Sequence, residues 1–185
     1  MDYKIANVKI SIKTSKLSLD NVCELAILND WRFKHCGNYV IIYLQYTYIV
    51  FKRRKNKRAL NHVNITKIPS LFDISDAVKL FIDSFCCSFF YLTVDNIIAK
   101  SSFNRELNLS EIIFKLENIL ATKGNNSIFV SFKYNNQKFP GLFVKSNIGG
   151  TINIFTTGKL VILGCKKEEH IQCLLMNIYA LIQMK

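Results

Sequence analysis

The chain has 185 residues and a formal net charge of +12 at pH 7, from 25 Lys and Arg against 13 Asp and Glu. Apolar residues make up 50% of it, enough for a hydrophobic core, which excludes wholesale disorder. The longest apolar runs, such as 39–44, are far below the roughly 18 residues of a membrane span, and residues 1–10 contain no hydrophobic leader. We therefore expect an intracellular protein whose positive charge favours a polyanionic partner, either nucleic acid or an anionic membrane surface.

In the first half of the chain, the hydrophobic pattern predicts a strand, a short helix, several strands and a longer helix, in that order. Residues 6–13 alternate as in a half-buried strand, and the apolar members are Ala6, Val8, Ile10 and Ile12. The first helix has an apolar stripe formed by Leu19, Val22, Cys23 and Ala26. A capping box at Ser70 and Asp73 predicts the start of the second helix. The apolar stripe of that helix comprises Leu71, Ile74, Val78, Phe81, Ile82 and Phe85.

The second half of the chain repeats this order, which indicates an internal duplication. Four segments recur: 5–8 as 94–97, 17–20 as 107–110, 40–43 as 142–145, and 49–51 as 153–155. We predict two tandem repeats, 1–88 and 89–185, with an insertion in the second repeat within 121–138, where the KGNN segment is typical of a turn. The two helices of the second repeat have apolar stripes at Leu109, Ile112, Ile113 and Leu116, and at Ile171, Leu174, Leu175, Ile178 and Ile182.

Strands and helices segregated in this way predict an α+β fold, in which an antiparallel sheet carries helices on a single face. Period-2 alternation assigns polar or basic residues of the first strand to the other face, together with Phe51, Phe155, Val161 and Leu163. A basic surface that carries large apolar side chains is unusual for plain solvent. It suits a nucleic-acid groove, in which cations neutralise phosphates and aromatic rings contact sugars or bases.

The sequence indicates neither a metal site nor an enzyme. Its six cysteines form no CxxC pair and its three histidines are scattered, so we expect reduced thiols, no zinc and no cofactor. It contains no Gly-rich phosphate loop, no HExxH motif and no nucleophile elbow, so we expect no catalytic activity.

Three C-terminal segments resemble the second repeat of the TATA-box-binding protein (TBP) family: FPGLFVK at 139–145, INIFTTGKLVILGCKKEEH at 152–170 and NIYALI at 177–182. The first repeat follows the family's order without its characteristic residues. The resemblance implies a TBP-like saddle, in which two quasi-symmetric halves share one curved antiparallel sheet with helices on the convex side and DNA under the concave side. It also implies a transcription-initiation factor that binds and bends AT-rich promoter DNA through the minor groove.

By this resemblance, some residues match the positions at which the family inserts phenylalanine wedges between base pairs. Phe139 and Phe155 match the two wedges of the second repeat, and Phe51 matches one of the first repeat's pair. The other wedge of the first repeat corresponds to Gly37 and is missing. Two nearby aromatic residues are candidate substitutes: Phe33 and Tyr39.

The same resemblance assigns polar and smaller apolar residues to the DNA-binding face. Asn7 and Asn96 match the paired asparagines that reach base edges, and an asparagine amide can donate to the adenine N3 and thymine O2 acceptors of both A·T orientations. Lys145 and Lys159 match basic positions expected at phosphates. The other residues assigned to this face are Lys9, which replaces a small apolar residue of the family, Val161 and Leu163.

The expected partners are double-stranded promoter DNA and a polymerase-recruiting factor similar to transcription factor IIB, with no membrane. The acidic residues that help bind that factor in cellular members are replaced by NNQK at 135–138, which argues against its ordinary recruitment. So divergent a member suggests a large DNA virus or a reduced parasite as the source, and the nucleus or a cytoplasmic viral factory as the location. The basic run KRRKNKR at 52–58 fits a solvated hairpin tip, a nuclear-localisation patch or a phosphate clamp.

Two other functions stay open at this point. The missing wedge at Gly37 and the charged Lys9 favour a TBP-fold assembly subunit that acts through a protein partner without kinking DNA, whereas the asparagine pair opposes it. A basic RNA-binding module would instead need exposed aromatic side chains for stacking on single-stranded bases, and it would not bend a duplex.

Overall fold

The computed structural model describes residues 2–15, 17–52, 60–123 and 127–184. The chain divides into two compact units, one comprising Asn7–Asp95 and the other comprising Met1–Ala6 with Asn96–Lys185. Both units combine antiparallel strands with helices, as in the predicted α+β class. The repeat bounds 1–88 and 89–185 stay a prediction.

In the described residues of the first half, the elements are β1 (Tyr3–Thr14), α1 (Leu19–Leu28), β2 (Arg32–His35), β3 (Tyr39–Tyr43), β4 (Thr47–Phe51), β5 (Asn61–Ile68) and α2 (Ile74–Phe85). Their strands pair antiparallel in the order β2-β3-β4-β5-β1. The described second half contains β6 (Phe89–Ser102), α3 (Leu109–Lys123), β7 (Phe129–Asn135), β8 (Phe139–Ser146), β9 (Thr151–Ile154), β10 (Lys159–Cys165) and α4 (Glu168–Gln183). Here the antiparallel order is β6-β10-β9-β8-β7.

The first strand shows the predicted alternation with one exception. Its fully buried residues are the apolar Val8, Ile10 and Ile12 and, at its end, Thr14. Lys9 and Lys13 are half-buried on the opposite face. Ala6, which we expected on the buried face, is exposed because it lies beyond the ladder between β1 and β5, which begins at Val8.

In each unit, the buried face of the sheet packs against the helices of that unit. In the unit Asn7–Asp95, the Tyr48 hydroxyl donates to the Ala77 carbonyl of α2 at 3.0 Å, and its ring lies 5.2 Å from that of Phe81. In the other unit, α4 buries the predicted stripe: Ile171, Leu174, Leu175, Ile178 and Ile182. In each unit, the opposite face of the sheet carries half-buried and exposed side chains, and we call it the open face.

Helix α2 begins three residues later than the sequence pattern predicts. The Ser70 hydroxyl donates to the Asp73 carboxylate, and Asp73 is itself the N-cap residue, without a side-chain bond to the helix backbone. Because Ser70 bonds to a side chain rather than to a backbone N–H, the predicted capping box is wrong and the helix begins at Ile74. Leu71 therefore precedes the helix instead of forming part of its stripe.

The six cysteines are free thiols: Cys23, Cys36, Cys86, Cys87, Cys165 and Cys173. Burial raises the pKa of the Cys87 and Cys165 thiols to about 11, so both stay protonated and unreactive at neutral pH. Within the described ranges, no helix has the length and apolar character needed to cross a membrane.

Candidate nucleic-acid interface

The open face of the unit that contains Asn96–Lys185 has a row of side chains across five strands. In register, the row comprises Lys133, Phe143, Asn153, Val161 and Lys100. Directly opposed residues of antiparallel strands project from the same face, so the row has a lysine at each end and an apolar centre that contains one amide. Such a row can bind phosphates at its ends and contact bases or sugars at its centre.

Phe139 and Phe155, the predicted wedges of the second repeat, come together on this open face. Their ring centroids are 5.7 Å apart, and Phe139 also lies 4.6 Å from Phe143. Gly141 makes this cluster possible, because a Cβ there would lie 2.6 Å from Cε1 of Phe139 and 3.0 Å from Cε1 of Phe155. The glycine of the FPGL motif therefore has a steric function that the sequence analysis did not identify.

On the open face of the unit Asn7–Asp95, Tyr39 lies beside the predicted wedge Phe51. The two residues are directly opposed in β3 and β4, with ring centroids 5.7 Å apart. Gly37 has a left-handed backbone with φ +67°, and open space surrounds the position of its absent Cβ. Phe33 is opposed to the fully buried Ile42, so it lies on the helix-covered face. Of the two candidate substitutes, only Tyr39 shares a face with Phe51.

Asn7 and Asn96 are held in the same way in the two units. Oδ1 of Asn7 accepts from the backbone N–H of Lys67 at 2.8 Å, and Oδ1 of Asn96 accepts from that of Gly164 at 2.6 Å. Lys67 and Gly164 both have left-handed backbones, with φ of 64° and 79°. Because each Oδ1 is occupied, Nδ2 is the amide group left for a ligand, although in Asn7 it also lies 3.2 Å from the Thr66 hydroxyl. Both asparagines are half-buried on the open face rather than in the core.

The remaining predicted residues also lie on the open faces. Lys145 and Lys159 are exposed, and Lys9 is half-buried. Val161 and Leu163 are half-buried and alternate along β10 with fully buried core residues. The structure thus places every predicted site residue on a face opposite the helices, while their contacts with DNA stay a prediction.

A polar cluster on the open face of the unit Asn7–Asp95 was missed by the sequence analysis. His62 Nδ1 lies 3.1 Å from Lys13 Nζ, and burial, followed by the Lys13 charge, lowers the pKa of His62. The Ser11 hydroxyl contacts the Asn64 Oδ1 at 2.9 Å and the Asp95 carboxylate. These side chains come from three strands and share no motif, so only the strand register reveals the cluster.

Two sequence predictions fall largely outside the described residues. Of the basic run 52–58, only Lys52 is described, and it is exposed. The KGNN segment is described only at Lys123, where α3 ends. Within the part of the chain that the structure covers, no cluster of three or more His, Cys, Asp or Glu side chains is placed to hold a metal ion.

Comparison with known proteins gives the family. The family model described as "Transcription factor TFIID (or TATA-binding protein, TBP)" matches residues 91–184, half of the chain. The solved structure of Methanococcus jannaschii TBP matches with a TM-score of 0.70 at 21% identity and 99% coverage of both chains, which shows the fold. A structure of aspartokinase alpha and beta subunits gives a TM-score of only 0.26, at 9% identity over 97% of this chain and 96% of that one, which is too low to indicate a shared fold. Among curated proteins, no sequence matches.

The fold and the family match define the class of this protein as a TBP-like transcription factor. The chain belongs to the TATA-binding protein family, and the fold inferred from its C-terminal motifs is confirmed. This is a family of DNA-binding transcription factors rather than of enzymes.

Proposed function

We propose that this chain is a transcription-initiation factor that binds AT-rich promoter duplexes through the minor groove and bends them. The observation that carries the proposal is the matched geometry of Asn7 and Asn96, in which a backbone N–H occupies Oδ1 and leaves Nδ2 as a donor. The minor groove of an A·T pair presents only acceptors, whereas a G·C pair adds the guanine N2 amino donor. Two such donors favour A·T pairs in either orientation.

The aromatic pairs of the open faces supply the bend. Phe139 and Phe155 form one pair, and Tyr39 and Phe51 form the other. Apolar side chains inserted between base pairs unstack them and kink the duplex. Because TA steps are flexible and cost the least to deform, these pairs favour AT-rich sequences for a second reason.

Lysines on the open faces supply attraction that does not depend on sequence. In the unit that contains Asn96–Lys185, four of them are exposed: Lys100, Lys133, Lys145 and Lys159. Each phosphate neutralised on duplex DNA makes the slope of log binding constant against log salt concentration more negative by about 0.9. Four phosphate contacts from this unit would therefore contribute a slope of about −3.6.

The bound and bent duplex would then recruit a factor similar to transcription factor IIB, in the nucleus or in a viral factory. The turn between β7 and β8 is the surface concerned, and its residues 135–138 are exposed without an acidic group. A partner that docks here would therefore form no ion pairs between its own basic side chains and this turn. The competing assembly function is less favoured, because Tyr39 lies beside Phe51 and supplies an aromatic ring where Gly37 cannot.

Binding to an AT-rich duplex, a GC-rich duplex and a single-stranded RNA tests the proposal, with end-to-end fluorescence transfer as the measure of bending. The parent protein should prefer the AT-rich duplex and bring its ends closer. The double variant Phe139→Ala, Phe155→Ala should lose bending before it loses binding. Phe72→Ala is the control, since Phe72 is 94% exposed and precedes α2, away from the open face. Duplex binding without bending in the parent would support the assembly subunit, and preference for the RNA would support the RNA-binding module.

A further inference from the structure

Asn153 has an orphaned polar atom at the centre of the open-face row. It is directly opposed to Phe143 in β8 and to Val161 in β10. Asn153 is only 7% exposed, and its buried Oδ1 has no hydrogen-bond partner among the described residues. An unpaired amide oxygen in such a place is unfavourable for folding, so its presence calls for an explanation.

The corresponding row of the unit Asn7–Asp95 shows that the fold does not need an amide at this place. That row comprises, in register, Ser11, Asn64, Ile49, Ile41 and Lys34. Because 49–51 recurs as 153–155, Ile49 is the counterpart of Asn153. In the amide that this row does contain, that of Asn64, the Oδ1 has the Ser11 hydroxyl as a hydrogen-bond partner at 2.9 Å. At this place in the first repeat, the apolar Ile49 packs in the sheet without an amide. The asparagine of the second repeat is therefore not required for packing.

We propose that Asn153 is an additional base-reading residue, which donates from Nδ2 to the adenine N3 or thymine O2 acceptor of one A·T pair. The inference rests on the proposed function, since it places the open face against the minor groove. Because Oδ1 is buried, the atom that we assign to the base is Nδ2. A guanine N2 amino group at that pair would meet another donor, so Asn153 selects against G·C there.

This assignment makes the two repeats unequal readers of DNA. The second repeat reads with Asn96 and Asn153, whereas the first repeat has Asn7 and, at the place of Asn153, the apolar Ile49. A protein whose halves discriminate bases at different numbers of positions binds an asymmetric site in one preferred direction. Asn153 is thus a determinant of direction as well as of sequence.

The test compares the parent with Asn153→Ile, which copies Ile49, and with Asn153→Asp, which keeps the size of the side chain but removes the donor. The probes are AT-rich duplexes in which single A·T pairs are replaced in turn by G·C or by inosine·C, which lacks the guanine N2 amino group. The parent should lose affinity for G·C and not for inosine·C at the pairs contacted by Asn7, Asn96 and Asn153. Asn153→Ile should lose this discrimination at one of these pairs and keep it at the others. It should also bind the unmodified duplex about 2- to 10-fold more weakly and unfold at a higher temperature, because no amide oxygen is left unpaired.

Asn153→Asp should bind more weakly than Asn153→Ile, because its carboxylate faces base acceptors. Asn118→Ala, at an exposed position of α3, is the control and should behave like the parent. Parent-like discrimination by Asn153→Ile overturns the inference, and so does a lower unfolding temperature, which would show that the amide makes a structural hydrogen bond. A parent that does not prefer AT-rich duplexes fails the proposed function instead, so the two failures are distinct.

Discussion

The substitution Gly141→Ala tests the aromatic cluster with the smallest change that the chain permits. The added Cβ would lie 2.6 Å from Cε1 of Phe139, and ordinary contact begins at 3.4 Å, so that ring must move by at least 3.4 − 2.6 = 0.8 Å. The Phe155 ring must move by at least 3.4 − 3.0 = 0.4 Å. Both rings are half-buried and can shift towards solvent, so we expect a cost of about 1 kcal/mol, at the low end for overpacking. In a chain of this length, that lowers the thermal midpoint by about 2–4 °C.

The effect of Gly141→Ala on bending should exceed its effect on stability. Displaced rings no longer enter the same base step, so bending should fall towards that of the Phe139→Ala, Phe155→Ala variant while binding to AT-rich duplex persists. End-to-end fluorescence transfer and thermal unfolding measure the two effects. Gly37→Ala is a matched control, because it strains a left-handed backbone without displacing a ring. Parent-like bending by Gly141→Ala, or an equal loss in Gly37→Ala, would refute the steric reasoning.

Further outcomes are expected at Lys67, Gly164, His62 and Tyr39. Lys67→Gly should stabilise the protein by up to about 1 kcal/mol in thermal unfolding, because its left-handed backbone penalises any side chain. Gly164→Ala, whose Cβ would make only an ordinary 3.6 Å contact, should destabilise it by about 1–2 kcal/mol. As the pH falls below 6.5, the free protein should lose stability through His62, because its pKa is lowered in the folded state and the unfolded chain takes up the proton first. The same acidification should tighten DNA binding, since a nearby phosphate favours the imidazolium, and His62→Gln should flatten both trends in pH titrations. Tyr39→Ala should remove about half of the bend if each aromatic pair makes one kink, whereas Tyr39→Phe should keep it; equal bending by both would show that the ring at 39 is dispensable.

The elements and their faces were predictable because they depend on strong local periodicity. The alternation of Val8, Ile10 and Ile12 and the stripe of α4 each follow from a single segment. The start of α2 was not predictable from its motif, because the capping box competes with a direct bond between Ser70 and Asp73. A local pattern cannot show which of two hydrogen bonds a side chain will make.

Residues of the candidate site could be predicted from the sequence only where a characteristic motif contains them. Phe139 and Phe155 stand in characteristic segments, whereas Asn153 is an ordinary strand residue whose unpaired oxygen becomes visible only in the packed sheet. His62 and Lys13 are far apart in sequence and meet through the register of β1 and β5. Such contacts between strands depend on pairing, which composition and spacing do not encode.

The glycine predicted to replace a first-repeat wedge has a backbone that disfavours a larger side chain. At the turn between β2 and β3, the Cys36 N–H bonds to the Tyr39 carbonyl at 2.9 Å and the Asn38 N–H bonds to the Cys36 carbonyl at 2.8 Å. Gly37, between them, has a left-handed backbone, which would cost a phenylalanine about 1–2 kcal/mol. A tight turn of this kind therefore disfavours phenylalanine at position 37.

Position 39 is the first residue of β3, two residues after 37, and it is occupied by the aromatic Tyr39 opposite Phe51. The second repeat has the reverse order, with the aromatic Phe139 first and Gly141 two residues later, where a side chain would collide with the rings. Each repeat thus has one glycine and one aromatic at these two places, in opposite order and for different local reasons. Matching the repeats position by position indicates that the first repeat lacks an aromatic residue at 37. The strand register indicates instead that its aromatic residue lies two positions later, at 39.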